Sequence, residues 1–394
     1  MDTKRKKRVL GVVAAFAILL APRTGGGDAV AQEVELGQPT ATFGEAFGLI
    51  TSVRELSDGS LYVADPLGGM LVRLDEGLTS MTVIGREGEG PGEYRQPDGI
   101  WPVGGDNSLL VDLGNARLTA VDADGNLGDG DPIVVPSAEG GLGGMMMAIP
   151  GGTDDSGNVY FTGSAYTPEG VRDSIELYRI RPGAGEPETV ALLRAPEMNV
   201  QTSGGANNQN VSVQPIPLGA ADTWGVAPDG SIYIARVGDY SVEYRRSGGG
   251  VRKGDPVDYR PVSIGMDEKE EWDDQRARNG GVGVSVEVDN GRRRVSMSRS
   301  TGGRADLNAL EWPEHMPPFA TARIRIDSDG NGWVRRNLEA GEPARYDVFD
   351  TTGRLVKSVR FPPERTLIGF GDRTLYAART DEFDQQFLEK YEIP

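Results

Sequence analysis

Three arginines, a single histidine and a run of alternating acids are the side chains of this sequence best suited to chemistry. Arg236, Arg336 and Arg379 each stand three residues after an aromatic, Tyr233, Trp333 or Tyr376. Guanidinium groups in matched register could hold a carboxylate or phosphate through bidentate forks. Pairing with nearby acids such as Asp239, Glu339 or Asp381 is the structural alternative. The same position in earlier copies of the motif is Asp65, Leu113 and Gly163. His315 is the only histidine, so a Ser–His–Asp triad would have to use it and a multi-histidine metal site is impossible. Otherwise it is a loop histidine. Asp327-x-Asp329-x-Asn331-Gly332 opens like a calcium loop, but Leu338 falls where the last ligand should be, which leaves a polar turn. No Gly-x-Ser-x-Gly elbow, phosphate-binding loop or nicotinamide fingerprint occurs. The candidate ligand-binding set is therefore Arg236, Arg336, Arg379, His315 and Asp65, with no catalytic residue and no metal ligand assigned.

These positions belong to a repeat. Six times a turn signal leads into a short apolar strand, as in Ser57-Asp58-Gly59-Ser60-Leu61-Tyr62-Val63 and Pro228-Asp229-Gly230-Ser231-Ile232-Tyr233-Ile234. Asp, Asn and Gly accept the positive φ of a tight turn, and the β-branched and aromatic residues that follow suit a buried strand. Each copy is flanked by an inner strand before it and by two more strands after it. All-β units of this size cannot bury their own faces and must stack on one another. The pattern predicts an all-β fold, a six-bladed β-propeller of four-stranded antiparallel blades. The sixth copy ends without its outer strand, whereas Thr40-Ala41-Thr42-Phe43 near the N-terminus is an orphan. Pairing the two would close the ring and remove two exposed edges.

Spacing between equivalent positions runs 48, 50, 73, 100 and 43 residues. The two excesses, about 194–221 and 265–318, fall between an outer strand and the next inner strand, so they should emerge on one face together with 85–98. Residues 194–221 are rich in Asn, Gln, Ser and Gly and read as an irregular loop. Residues 267–278 have acids at the start, Arg276 and Arg278 at the end and Gly280 beyond, which is the pattern of a short helix. Alternating valines on either side of Asn290-Gly291 then predict a hairpin. The insertion between blades four and five is thus a helix plus a hairpin. Arg292-Arg293-Arg294 could bind an anion, or simply mark a solvated edge.

Composition narrows the function classes. Lys4-Arg5-Lys6-Lys7-Arg8, the apolar stretch Val9–Ala21 and Ala29-Val30-Ala31 form the three regions of a signal peptide, residues 1–31, with cleavage expected before Gln32. The expected location is secreted or periplasmic. Net charge is −18; without the leader's six basic and two acidic residues, 35 basic face 57 acidic side chains, or −22. That balance argues against a nucleic-acid partner. No further stretch is apolar enough to span a membrane. With no cysteine there are no disulfides, thiolate nucleophiles or iron–sulfur ligands, and stability must come from a large core.

Ile84-Gly85-Arg86-Glu87-Gly88-Glu89-Gly90-Pro91-Gly92-Glu93-Tyr94 resembles the blade-to-blade link of NHL-repeat propellers, and Val111-Asp112-Leu113-Gly114-Asn115-Ala116-Arg117-Leu118 resembles their core motif. Only the second blade carries both. The chain from residue 32 to 394 is similar to secreted bacterial six-bladed propellers. The resemblance implies binding of a ligand or a protein partner, expected on the insertion-bearing face, and the arginines make a small anion the candidate ligand. The alternative it leaves is a channel-sited lyase or hydrolase, lactonase-like; no cofactor is assigned, and calcium is the one that alternative could use.

Overall fold

The computed structural model describes residues 32–136, 145–167, 169–205, 208–289 and 292–394. The proposed signal peptide lies outside them. The described chain is a six-bladed β-propeller of four-stranded antiparallel blades. From the axis outward, blade 1 is Ser52–Glu55, Leu61–Asp65, Met70–Leu74 and Met81–Ile84. Blade 4 is Thr223–Val226, Ile232–Arg236, Ser241–Arg245 and Val251–Lys253, and blade 5 begins with Arg325–Ile326, Gly332–Arg335, Arg345–Phe349 and Leu355–Arg360. Among the described residues no helix is long and apolar enough to cross a membrane.

Closure follows the expected route and adds to it. Ala41–Thr42 is the outer strand of blade 6, with Ala41 opposite Lys390 and Thr42 opposite Glu389. Gln32–Glu35 also runs parallel to Leu355–Arg360 as a fifth strand on blade 5. The first described residues therefore clasp two blades. Leu36 and Phe43, both buried, are driven into the blade 5–6 and blade 6–1 cores.

Six apolar clusters fill the spaces between blades. In five of the blades the repeated aromatic is the forward knob. Tyr62 packs towards blade 2 and its hydroxyl donates to the Asp122 carbonyl at 2.9 Å; Tyr233 packs towards blade 5 and donates to Gly330 O at 2.5 Å. In blade 2 the forward-facing residue is Leu109 rather than Leu110, so Asp112 and not Leu113 corresponds to Asp65. Inner strands approach closely near the axis. A Cβ on Gly225 would stand 2.1 Å from Ile324 O, so this strand crossing admits only glycine.

Three sequence expectations need correction. Residues 194–221 contain a hairpin, Met198–Gly205 paired with Asn208–Pro215, rather than an irregular loop. Apolar content in the sequence points to 132–135 and 257–262 as the outer strands of blades 2 and 4; the strands are instead Leu127–Pro132 and Val251–Lys253. Outermost strands see solvent on both faces, so they need no apolar alternation and composition does not mark them. Val251, Arg252 and Lys253 are all exposed. The helix Met266–Asn279 and the hairpin Gly281–Asp289 with Arg292–Ser300 form as expected. The insertions share one face: Gln96 exchanges hydrogen bonds with the Arg299 backbone at 2.8 and 2.6 Å, and Asn199 donates to Glu311 at 2.9 Å.

Candidate functional site

The matched register of Arg236, Arg336 and Arg379 has a structural cause. Each stands within one residue of the end of a second strand and meets an acid on the third strand of its own blade. Arg236 pairs with Glu243 at 2.8 Å and with Asp222 at 2.7 Å. Arg336 pairs with Asp347 at 2.9 Å, and Arg379 with Glu389 at 3.0 Å. The partners are not Asp239, Glu339 and Asp381, which lie in turns. In each case the acid is two residues beyond the arginine's direct neighbour on the third strand, a diagonal contact that long side chains span. Burial alone would raise the Glu243 carboxyl, but hydrogen bonds from Arg236 and the charges of Arg236 and Arg245 outweigh it and hold it low. The expected common anion site is therefore corrected to three copies of one strand-to-strand clamp.

Of the other candidates, Asp65 is engaged by backbone amides and His315 stands in solvent. Asp65 is buried, and its carboxylate accepts from the backbone amides of Gly48 at 2.8 Å, Leu49 at 3.0 Å and Gly68 at 2.8 Å. It fixes the approach to the inner strand. His315 is exposed and its backbone bridges Ser263. Asp327 accepts from Asn331 N and Trp333 Nε1, both at 2.8 Å, which is the polar turn the sequence offered as the alternative to calcium. Among the described residues no three acids or histidines gather as a metal site. The side chains of Arg292–Arg294 lie outside the described ones.

The axis itself holds a different set of arginines. A cavity of about 940 Å³ opens on the insertion-bearing face, lined by inner-strand residues and roofed by the helix. A second, of about 480 Å³, opens among the turns of the opposite face. Trp101, Arg323 and Arg325 line both, so they form the waist between them. In Arg323-Ile324-Arg325-Ile326 the isoleucines pack into the core between blades 4 and 5. Side chains alternate along an extended strand, so both arginines turn the other way, to the axis.

Among the described residues neither guanidinium has an acid partner. Arg323 lies 4.1 Å from the Trp101 ring centroid and makes a long contact of 3.5 Å to Pro150 O. Burial pushes Arg323 well below the ordinary guanidinium value, and the neighbouring Arg325 pushes it further; distant Asp98 opposes both. Burial lowers Arg325 to about 10. A guanidinium keeps its proton at neutral pH, so these shifts express charge left without a counter-charge. The contrast with neighbours is sharp. Arg299, Arg365 and Arg278 line the same cavity, yet they pair with Asp98, Glu389 and Asp384. Among the described residues, the half-buried arginines without an ion pair are Arg54, Arg323, Arg325 and Arg335, and all four line these axial cavities.

The roof is held by polar contacts. Glu268 and Glu271 accept from the amides of Ala340 at 3.2 Å and Gly341 at 2.8 Å, fixing the helix over blade 5. Trp272 stacks edge-on against Trp312 at 5.3 Å. Buried Asp273 takes Arg276 at 2.8 Å and the Ala305 amide at 3.1 Å.

No known family model matches the chain, and no curated protein matches it. Solved structures similar to it include a DUF4221 family member from Bacteroides vulgatus, 11% identical, covering 93% of this chain and 98% of that one with a TM-score of 0.41. A calcium-binding regucalcin from Agrobacterium tumefaciens is 11% identical, with 92% and 96% covered and a TM-score of 0.35. A catalytically inactive virginiamycin B lyase from Staphylococcus aureus with quinupristin is 10% identical, with 89% and 99% covered and a TM-score of 0.37. Likenesses at this level assign neither ligand nor activity.

Proposed function

We propose that this is an exported propeller that holds a small anionic ligand in its axial channel, with Arg323 and Arg325 as the gripping groups. One observation carries the reading: two adjacent guanidiniums, half-buried at the channel waist, have no acid partner among the described residues of a chain with an excess of acids. Burying a charge without a counter-charge costs several kcal/mol. The cation–π contact with Trp101 offsets about 0.5–2 kcal/mol of that. An anion entering from solvent supplies the remainder, gripped by forks that match carboxylate and phosphate oxygens. Trp101 walls the same space and offers an apolar surface beside the charged one.

A thermal-shift screen of purified protein with phosphate and small carboxylates at low ionic strength tests this. A rise in melting temperature that survives EDTA and fades with added sodium chloride is expected, because arginines rather than a metal do the binding. No shift with any anion overturns the reading. Export is tested separately, by N-terminal sequencing of the secreted protein, which should begin at Gln32.

A further inference from the structure

The channel cavity is lined by charges of both signs, with Arg335, Glu342 and Glu364 on its wall and Arg278 at the end of its roof helix. Its floor carries Arg323 and Arg325. Its roof is the helix Met266–Asn279, which presents Asp267, Glu270, Glu271 and Asp274 to the same space. These positions follow the i, i+3, i+4, i+7 rhythm of a single helix face. The pairs Asp267 with Glu271 and Glu270 with Asp274 set like charges four residues apart, a small standing cost to the helix. Two of the four are occupied: Glu271 takes the Gly341 amide and Gln275 at 2.8 Å each, and Asp274 pairs with Arg304. Asp267 and Glu270 have no partner among the described residues. Asp267 lies in the first turn, where the helix dipole favours an acid. Glu270 is beyond that turn; both side chains are exposed at the rim of the cavity.

A simple dianion that reached the floor arginines would leave its second charge facing the roof acids. A simple cation would meet the reverse problem. Resting on the reading of Arg323 and Arg325 as an anion grip, we infer that the ligand is a zwitterion with separated charges, of the kind a short peptide presents: its carboxylate on Arg323 and Arg325, its ammonium under Asp267 and Glu270. A cavity of about 940 Å³ accommodates a ligand of several residues. Complementary charge also orients such a ligand along the axis before contact, carboxylate inward.

Isothermal titration of the full protein with alanine oligomers of two, three and four residues separates the possibilities. Each is used free, N-acetylated and C-amidated. At the best length the free peptide should bind about tenfold or more tighter than either blocked form, the factor a charge-assisted hydrogen bond contributes. In D267N/E270Q the free and N-acetylated peptides should become equal, and in R323Q/R325Q the free and C-amidated ones should. If N-acetylated peptides or phosphate bind as well as or better than free peptides in the parent, the zwitterion assignment fails while the anion grip stands. If no carboxylate-bearing probe and no phosphate binds, both fail.

Discussion

The Arg323 guanidinium stands over the Trp101 indole, 4.1 Å from the ring centroid, and the two side chains come from different blades. Trp101 thus does for Arg323 what Asp347 does for Arg336, without neutralising it. Replacing Trp101 with Leu should weaken anion binding by roughly 2- to 30-fold, the span of a cation–π contact of about 0.5–2 kcal/mol. The charge stays in place, so the steepness of the salt dependence should not change. Unaltered affinity in titration would show that Trp101 positions nothing.

Arg336 and Asp347 carry an opposite expectation. Asp347 is 1% exposed and also accepts from Tyr240 and, at 2.5 Å, from Ser358. Arg336→Gln leaves that carboxylate buried without its cation and should lower unfolding free energy by about 3–5 kcal/mol. Anion binding measured below the variant's melting temperature should be retained. A stability loss below about 1 kcal/mol would contradict the clamp, since exposed pairs contribute no more than that.

The N-terminal clasp is tested by deletion. Removing residues 32–44 strips one strand from blade 5 and one from blade 6 and empties the places of Leu36 and Phe43, which are 5% and 3% exposed. Burying such a side chain contributes about 1.5–3 kcal/mol, so denaturant unfolding should reveal a loss of at least about 3 kcal/mol. A truncated chain that unfolds at the parent midpoint would mean the ring closes without the clasp.

Most of the architecture was legible because the turn-strand units repeat and their aromatic knobs are invariably buried. The clasp on blade 6 was legible because one blade was a strand short. The strand Gln32–Glu35 was not, since it pairs in parallel at an exposed edge and carries no apolar alternation. The site was misread for a reason of the same kind. Register identified Arg236, Arg336 and Arg379, but a repeated register marks a repeated structural need, and the answering acids Glu243, Asp347 and Glu389 stand at fixed positions on the next strand. The informative signal lay on the inner strands: Arg323 and Arg325 line the axis, and Arg325, opposite Trp333, holds the place of Arg54 in blade 1 and Trp101 in blade 2. Their alternation with Ile324 and Ile326 was visible in the sequence; the lack of acids around them required the fold.

Alkaline pH offers a check on the interblade cores. Burial, aided by Asp154, pushes the Tyr160 hydroxyl up to about 12, and burial raises Tyr233, Tyr240, Tyr376 and Tyr391 as well. Below the ordinary tyrosine value of 10.0 these groups are neutral in both states and their contribution is fully present. As pH rises past 10.0 the unfolded chain ionises first, so stability falls until the folded values are reached. Tyrosinate absorbance from this set should therefore appear together with unfolding. Its appearance in still-folded protein just above pH 10.0 would show that these hydroxyls are not sequestered.

The most direct test of the channel assignment is one double variant, Arg323→Gln with Arg325→Gln, followed by calorimetric titration and melting. The account predicts that anion binding is abolished while the protein melts at or above the parent temperature, because two uncompensated charges have been removed from the waist of the ring. A variant that binds anions like the parent, or one that melts far below it, would show that Arg323 and Arg325 serve the fold and not a ligand.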